Sequence, residues 1–368
     1  MKSKPETRSG WSIFWCIVRR FFLLVFTLLI IAAVGLYMVC NLVFNGPSPN
    51  ARNRLTMSMR ESSGMKWFPA IFIGEEKVAE IEEAVDATLP ADVSDDTLVN
   101  IDLVGSAVDG NVDEWKNHPD GIRLENIKGD TYNAYIMIIR DPSRVYQATS
   151  HLPFSYDIPG ERINHKIEQE GAVAAINAGA FLDMSNTPQS HLTGRVPAGL
   201  VIAGGEVVFN GHRDMVPEKG FVGFNKDNIL VVAQSMTPSK AMDLGIRDGC
   251  EFGPVLIMNG TINEEAYNEE SGLNPRTCIG QRADGAVIFL CVEGRAASSL
   301  GATYEDLIDI MVEYGAVNAC NLDGGSSTVM LYRDPETGDV SMVNNYSLLQ
   351  EEPRRMPTFF MVRPVSED

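Results

Sequence analysis

Basic residues are the scarce class in this chain: 30 Lys and Arg stand against 49 Asp and Glu, and no Lys/Arg cluster lies beyond the first sixty positions. A surface without a basic stripe cannot track a nucleic-acid backbone, so nucleic acid is not an expected partner. Cysteine is sparse too. The six present (Cys16, Cys40, Cys250, Cys278, Cys291 and Cys320) never fall into a CxxC spacing, which argues against a zinc ribbon or a thioredoxin-type pair. Cys278, Cys291 and Cys320 lie in apolar stretches that read as strands, so buried free thiols are expected rather than disulfides. At 368 residues the chain has room for one large domain with appendages or for two ordinary domains, and nothing in its composition fixes an oligomeric state.

Charge is absent from residues 21–40 (FFLLVFTLLIIAAVGLYMVC). Twenty apolar residues rising ~1.5 Å each reach across a hydrocarbon core of ~30 Å. Lys2, Lys4, Arg8, Arg19 and Arg20 precede the run with only Glu6 opposing, which predicts a cytoplasmic N-terminus and an external location for everything after Phe44. Residues 36–44 offer no small-residue cleavage site, and Tyr37, Met38 and Val39 are not the small residues that precede a lipidated cysteine. An uncleaved, single-pass anchor in the cell membrane is therefore expected.

Turn and linker chemistry follows at residues 45–50 (NGPSPN). Helical segments are predicted at 51–65 and 75–85, broken by Pro69 and ending in an acidic run to Asp96, which together read as a stalk. From about Asn100 the pattern changes to short apolar runs separated by Gly, Asn and Asp. Strands are predicted at 132–140, 198–202, 206–210, 228–232, 255–258 and 286–292. Two helices stand among them, one over 161–170 ending at Gly171, the other over 303–314 with Thr303 and Asp306 at its start and Gly315 at its end. The expected fold is α+β, a mixed β-sheet domain with a few packed helices. Three regions result: 1–44 (cytoplasmic tail and transmembrane helix), 45–99 (partly helical stalk) and 100–368 (the folded domain).

One internal echo points to a site. Residues 171–177 read GAVAAIN and residues 315–321 read GAVNACN, matching at five of seven positions, each after a helix and each before a polar, glycine-containing turn. Two equivalent strands would bring Asn177 and Asn321 to neighbouring ends, where clefts in sheet proteins commonly form. After the second strand comes NLDGGSST, which concentrates Asp323, two glycines (Gly324, Gly325) and three hydroxyls in one turn. Glycines there permit positive φ and let a ligand approach backbone N–H groups. An ordinary hairpin turn would use the same Asp-Gly pair. Arg276 and Arg295, at strand boundaries, are the natural anion-binding candidates in an acidic domain, because a guanidinium presents a planar fork of donors to a phosphate.

Taken in order, INAGAF (176–181), GPVLIMNG (253–260), NPRTCIG (274–280), VEGR (292–295) and NLDGGSSTVM (321–330) resemble the phosphodiester glycosidase family, over roughly residues 100–364. Bacterial members of that family are associated with exopolysaccharide and cell-envelope metabolism. The resemblance implies hydrolysis of the C1–O bond of a sugar-1-phosphodiester, with a carbohydrate phosphodiester as substrate. It places Asp323 as the principal carboxylate, with Glu293 or Asp183 as the second. Arg276 and Arg295 would bind phosphate. Asn177, Gly179, Thr277, Asn321, Gly324, Gly325, Ser326 and Ser327 would complete the substrate site. No cofactor is required, although a divalent cation near Asp183 and Asp323 would be compatible. Relatives often carry NGGFF where this chain has Asn177, Ala178, Gly179, Ala180 and Phe181, a bulkier loop that bears on sugar specificity. A non-catalytic carbohydrate-binding or envelope-assembly module, or a glycosyl transferase using the same pocket, would fit the same motifs.

Overall fold

The computed structural model describes residues 10–48, 67–83, 93–101, 115–182, 193–212, 220–268, 271–346 and 352–365, with a few positions between 51 and 65 and at 215–216. Gly10–Asn45 is one continuous helix, and Val18–Asn45 is the one stretch among the described residues long and apolar enough to cross a membrane, as an anchor or a signal sequence. The next helical stretch spans Ala70–Glu83 and is broken at Gly74 (φ 80°), so its second part begins at the predicted start, Glu75. Pro69 immediately precedes it, where a fixed φ and a missing N–H suit a helix start.

The sheet-rich α+β architecture read from the sequence is divided among three principal sheets. A seven-stranded sheet runs in the order Ile122–Lys128, Asn133–Ile139, Val287–Val292, Arg276–Arg282, Ala316–Leu322, Val255–Met258, Thr261–Ile262. One five-stranded sheet runs Val340–Met342, Met330–Arg333, Ala174–Asn177, Thr358–Val362, Val145–Thr149. The other runs Leu230–Ala233, Phe221–Asn225, Ile246–Glu251, Gly199–Ala203, Glu206–Gly211.

Why the strands are apolar on both faces follows from the layering. Met137, Phe289, Cys291, Cys320 and Leu322 on the seven-stranded sheet face a shared core with Ala174, Ile176, Phe360 and Val362 of one five-stranded sheet and Val222, Phe224 and Val232 of the other. The alternate residues Ile136, Leu290, Val292 and Ala319 turn to the opposite face and pack under Tyr304, Leu307, Ile308 and Met311 of the helix Tyr304–Glu313. Likewise Ala175, Phe359 and Met361 pack against Ile163 and Ile167 of the helix Ile163–Glu170. Both helices stop where the sequence predicts. A reciprocal capping box of Thr303 and Asp306 starts one, and Gly171 at φ 63° ends the other.

All five described cysteines are free and buried. Burial pushes the thiols of Cys250, Cys278, Cys291 and Cys320 well above the usual thiol range. Since the thiolate is the reactive form, these four should resist maleimide in the native protein and all react once guanidinium unfolds it, counted by mass spectrometry. A native thiol count that includes any of the four would contradict this packing.

Candidate active site

Three strand ends of the seven-stranded sheet meet on one side. Arg276 begins the central strand and pairs with Val292, while Thr277 pairs with Leu322. Because both neighbours run antiparallel to that strand, Glu293 and Asp323, each the next residue after its own strand, emerge at this same edge. The chain then turns through 323–329 and enters the five-stranded sheet at Met330, which pairs with Ile176. The turn thus joins two sheets.

Here the internal echo acquires its structural meaning, in a form the sequence did not specify. The strands Ala174–Asn177 and Ala316–Leu322 belong to different sheets, yet their ends touch: the Asp323 N–H donates to the Ala178 carbonyl at 3.0 Å. Asn177 clamps the junction. Its amide nitrogen donates to the Asp323 carbonyl, and its Oδ1 accepts from Thr277 Oγ1 at 2.8 Å and from the Val329 N–H at 3.2 Å. Asn321, equally buried, donates from Nδ2 to the Gly253 carbonyl at 2.7 Å.

Two glycines let the turn close. A Cβ on Gly324 would sit 2.7 Å from the Pro275 carbonyl, which the Gly325 N–H also reaches at 2.8 Å. Gly325 has φ +60°, and a Cβ there would meet the Arg295 guanidinium at 3.2 Å. Arg295 itself holds a left-handed φ of 58°, rare for a side-chain-bearing residue, and its Nη2 donates to Asn274 Oδ1 at 3.3 Å. The backbone therefore aims this arginine across the turn.

Desolvation dominates at Asp323 and pushes its carboxyl pKa up to about 7, although the Ser327 hydroxyl, the Gly324 N–H and the Arg295 charge all favour the ionised form. The residue remains partly accessible. A second arginine, Arg354, which the sequence reading missed, reaches the same turn. Its Nη1 donates to Ser326 Oγ at 3.2 Å, and its guanidinium lies 4.8 Å from the centre of the Phe181 ring. Burial lowers its pKa to about 10, so it still carries its charge at neutral pH. Tyr346 braces both, donating its hydroxyl to the Ser326 carbonyl and accepting from the Arg354 N–H at 3.0 Å. The Arg-Arg doublet before the final strand was the available signal for Arg354, but nothing in its spacing tied it to Ser326.

The remaining sequence-derived candidates divide into a supporting layer and one absentee. Arg276 is 4% exposed; it donates to the carbonyls of Gly272 (3.0 Å) and Ala302 (3.4 Å) and lies 4.3 Å from the centre of the Tyr304 ring. Its guanidinium is engaged at the strand end, whereas the resemblance implied a phosphate ligand. Asn177, Thr277 and Asn321 are also buried and bonded within the protein, and they hold the turn in place. Gly179 packs tightly, with room for no Cβ beside Cys250. Glu293 is buried, and its Oε1 accepts from the Asn345 N–H at 2.6 Å and from Asn345 Nδ2 at 3.0 Å. Asp183 lies outside the described residues. Among those described, no group of three or more His, Cys, Asp or Glu side chains is placed to hold a metal ion.

The sequence profile of the phosphodiester glycosidase family matches residues 170–363, which contain every element of this junction. The chain belongs to that family. Over 87 residues the chain is 34% identical to the SPbeta prophage-derived uncharacterized protein YomE of Bacillus subtilis (strain 168), covering 23% of this chain and 14% of that protein. The chain thus matches only a small part of that relative's length. Among solved structures, the zebrafish N-acetylglucosamine-1-phosphodiester alpha-N-acetylglucosaminidase catalytic domain, auto-inhibited by its pro-peptide, superposes with a TM-score of 0.51 at 19% identity, over 67% of this chain and 85% of that one. A hypothetical protein from Synechocystis gives a TM-score of 0.43 at 16% identity, over 68% of this chain and 63% of that one. The zebrafish likeness establishes a shared fold, and family and fold together support a glycosidase-type function.

Proposed function

We propose that the chain hydrolyses the C1–O bond of a sugar-1-phosphodiester, with Asp323 as the working carboxylate and Arg295 and Arg354 as the groups that receive the phosphate. The observation that carries this reading is the glycine turn itself, which holds the desolvated Asp323 carboxyl, its pKa pushed up to about 7, with Arg295 against Gly325 and Arg354 bonded to Ser326. Glycosidic cleavage passes through an oxocarbenium-like state that needs a nearby carboxylate, either to stabilise positive charge or to take a proton from water. A carboxylate that titrates near neutrality is a stronger base than an ordinary one. The departing phosphate needs cationic and N–H donors more than a strong acid, which suits two guanidiniums and the backbone N–H groups of the turn. Glu293, fixed by Asn345, serves as the second carboxylate at the same sheet edge.

Full-length protein in detergent, offered a panel of sugar-1-phosphodiesters, should release a free sugar and a phosphomonoester, and adding an alcohol acceptor separates hydrolysis from transfer. Binding of these compounds without turnover would make the chain a carbohydrate-binding module and end the proposal. The pH profile supplies a further prediction. Activity should rise with pH through a limb near about 7 as Asp323 ionises. Arg295→Ala removes a charge that favours the carboxylate, so the limb should move to higher pH while KM rises about tenfold or more. A limb that stays in place in Arg295→Ala would separate Arg295 from Asp323.

A further inference from the structure

The long apolar helix does not end alone. Phe72 stacks on Phe44 with ring centroids 5.0 Å apart and planes 11° from parallel, and it approaches Tyr37 at 5.7 Å. Phe68 completes the cluster at 5.4 Å from Phe72 and 6.3 Å from Phe44, and Asn45 Nδ2 donates to the Phe72 carbonyl at 3.3 Å. Residues 67–73 (WFPAIFI) are therefore folded back against the last turns of the span.

Length fixes the depth of that contact. Counting ~20 residues of hydrocarbon core from Phe21, the first position after Arg19 and Arg20, places Cys40 at the boundary and Asn41 to Asn45 among the headgroups. Tyr37 to Asn45, the stretch that holds Phe72, straddles this boundary. The outer surface of the returning segment is apolar: Trp67 and Ile71 are 61% and 60% exposed. At Gly74, with φ 80°, the helix kinks, and the sequence changes at once to EEKVAEIEE. Phe68 and Phe72 touch the span, residues 67–73 carry no charge, and the acidic residues begin directly after the kink. Too short to cross a bilayer, such a segment has the composition of an interfacial element, with tryptophan at the level where aromatic belts form.

We propose that residues 67–73 are a second membrane-contacting element, seated in the headgroup layer of the lipid that surrounds the span, with Trp67 and Ile71 as its lipid-facing side chains. The inference rests on the helix Val18–Asn45 being retained as an anchor and goes beyond the reading of the active site. Its occupant is lipid because the patch is held by Phe68 and Phe72 against the last turns of the spanning helix and ends where the acidic sequence begins. It makes the anchor broader than one helix and fixes where the following chain leaves the bilayer.

The test uses the full chain in phosphatidylcholine vesicles, with bromine near the top of the acyl chains as a contact quencher and acrylamide as an aqueous one. Subtracting the emission of Trp67→Phe from that of the unsubstituted chain isolates Trp67, and the change is mild at so exposed a position. Bromolipid should remove about half or more of the Trp67 signal, with acrylamide nearly without effect. Trp67 emission quenched by acrylamide alone, in protein that resists carbonate extraction from the vesicles, overturns the proposal and leaves the anchor intact. Quenching by neither agent would mean that protein covers the patch and would overturn it too. Protein released by carbonate would remove the anchor and the proposal together.

Discussion

Asp323→Asn should lower turnover on a sugar-1-phosphodiester by at least ~100-fold while leaving binding in place, because it keeps size and hydrogen bonding but removes the charge that the reaction uses. The same change should make the protein more stable. The carboxyl has a folded-state pKa of about 7 against an ordinary 3.8, so the folded state binds its proton more tightly than the unfolded chain. A raised carboxyl pKa means that stability is greatest below the unfolded value, is lost as pH climbs between the two, and is constant above about 7. Asparagine has no such penalty. At pH about 8 the variant should therefore gain on the order of 2 kcal/mol, after allowing for the partial accessibility of the site, and the gain should vanish near pH 4. Thermal melts of both proteins across that range, beside steady-state kinetics, check the two signs together. A folded Asp323→Asn protein with near-normal turnover would return the turn to a purely structural role.

The second large effect belongs to a residue that need not touch substrate. Asn177→Ala leaves the Asp323 carbonyl, the Thr277 hydroxyl and the Val329 N–H without the amide that links them, in a place closed to solvent. Each buried polar group deprived of its partner costs ~1–3 kcal/mol, so a loss of about 3–5 kcal/mol and a fall in Tm on the order of 10 °C are expected. Activity at a temperature where the variant is folded should drop at least ~10-fold, since the carboxylate loses its fixed position. Thr277→Val, which removes one of the three bonds, should cost only ~1 kcal/mol. If Asn177→Ala proved no worse than Thr277→Val, the clamp would be one contact among many.

The sequence displayed the parts of this site better than their assembly. Strand limits such as 255–258 and 206–210, and helix ends at Thr303, Gly171 and Gly315, were legible because alternation, capping and glycine act within a few residues. Asp323 and its glycines were legible for the same reason. Which polar residues face outward was not. Arg276 and Arg295 look alike as strand-boundary arginines, and only the stacking of Arg276 over Tyr304 and the left-handed backbone of Arg295 separate them. Arg354 was missed because its link to Ser326 is a tertiary contact made through the brace of Tyr346. Apolar runs announced strands, but not that they would divide into three sheets, since periodicity fixes faces and leaves partners open.

The turn from Leu322 to Met330 leaves one sheet and enters another, and the amide that secures it comes from a strand 146 residues earlier in the chain. Neither half of the polypeptide therefore holds the candidate site by itself. A fragment that carries NLDGGSST but lacks the strand ending at Asn177 keeps the most diagnostic motif and has no site, so the motif by itself is no certificate of an enzyme. Two fragments severed between those strands would each lack the junction and could rebuild it only by docking face to face.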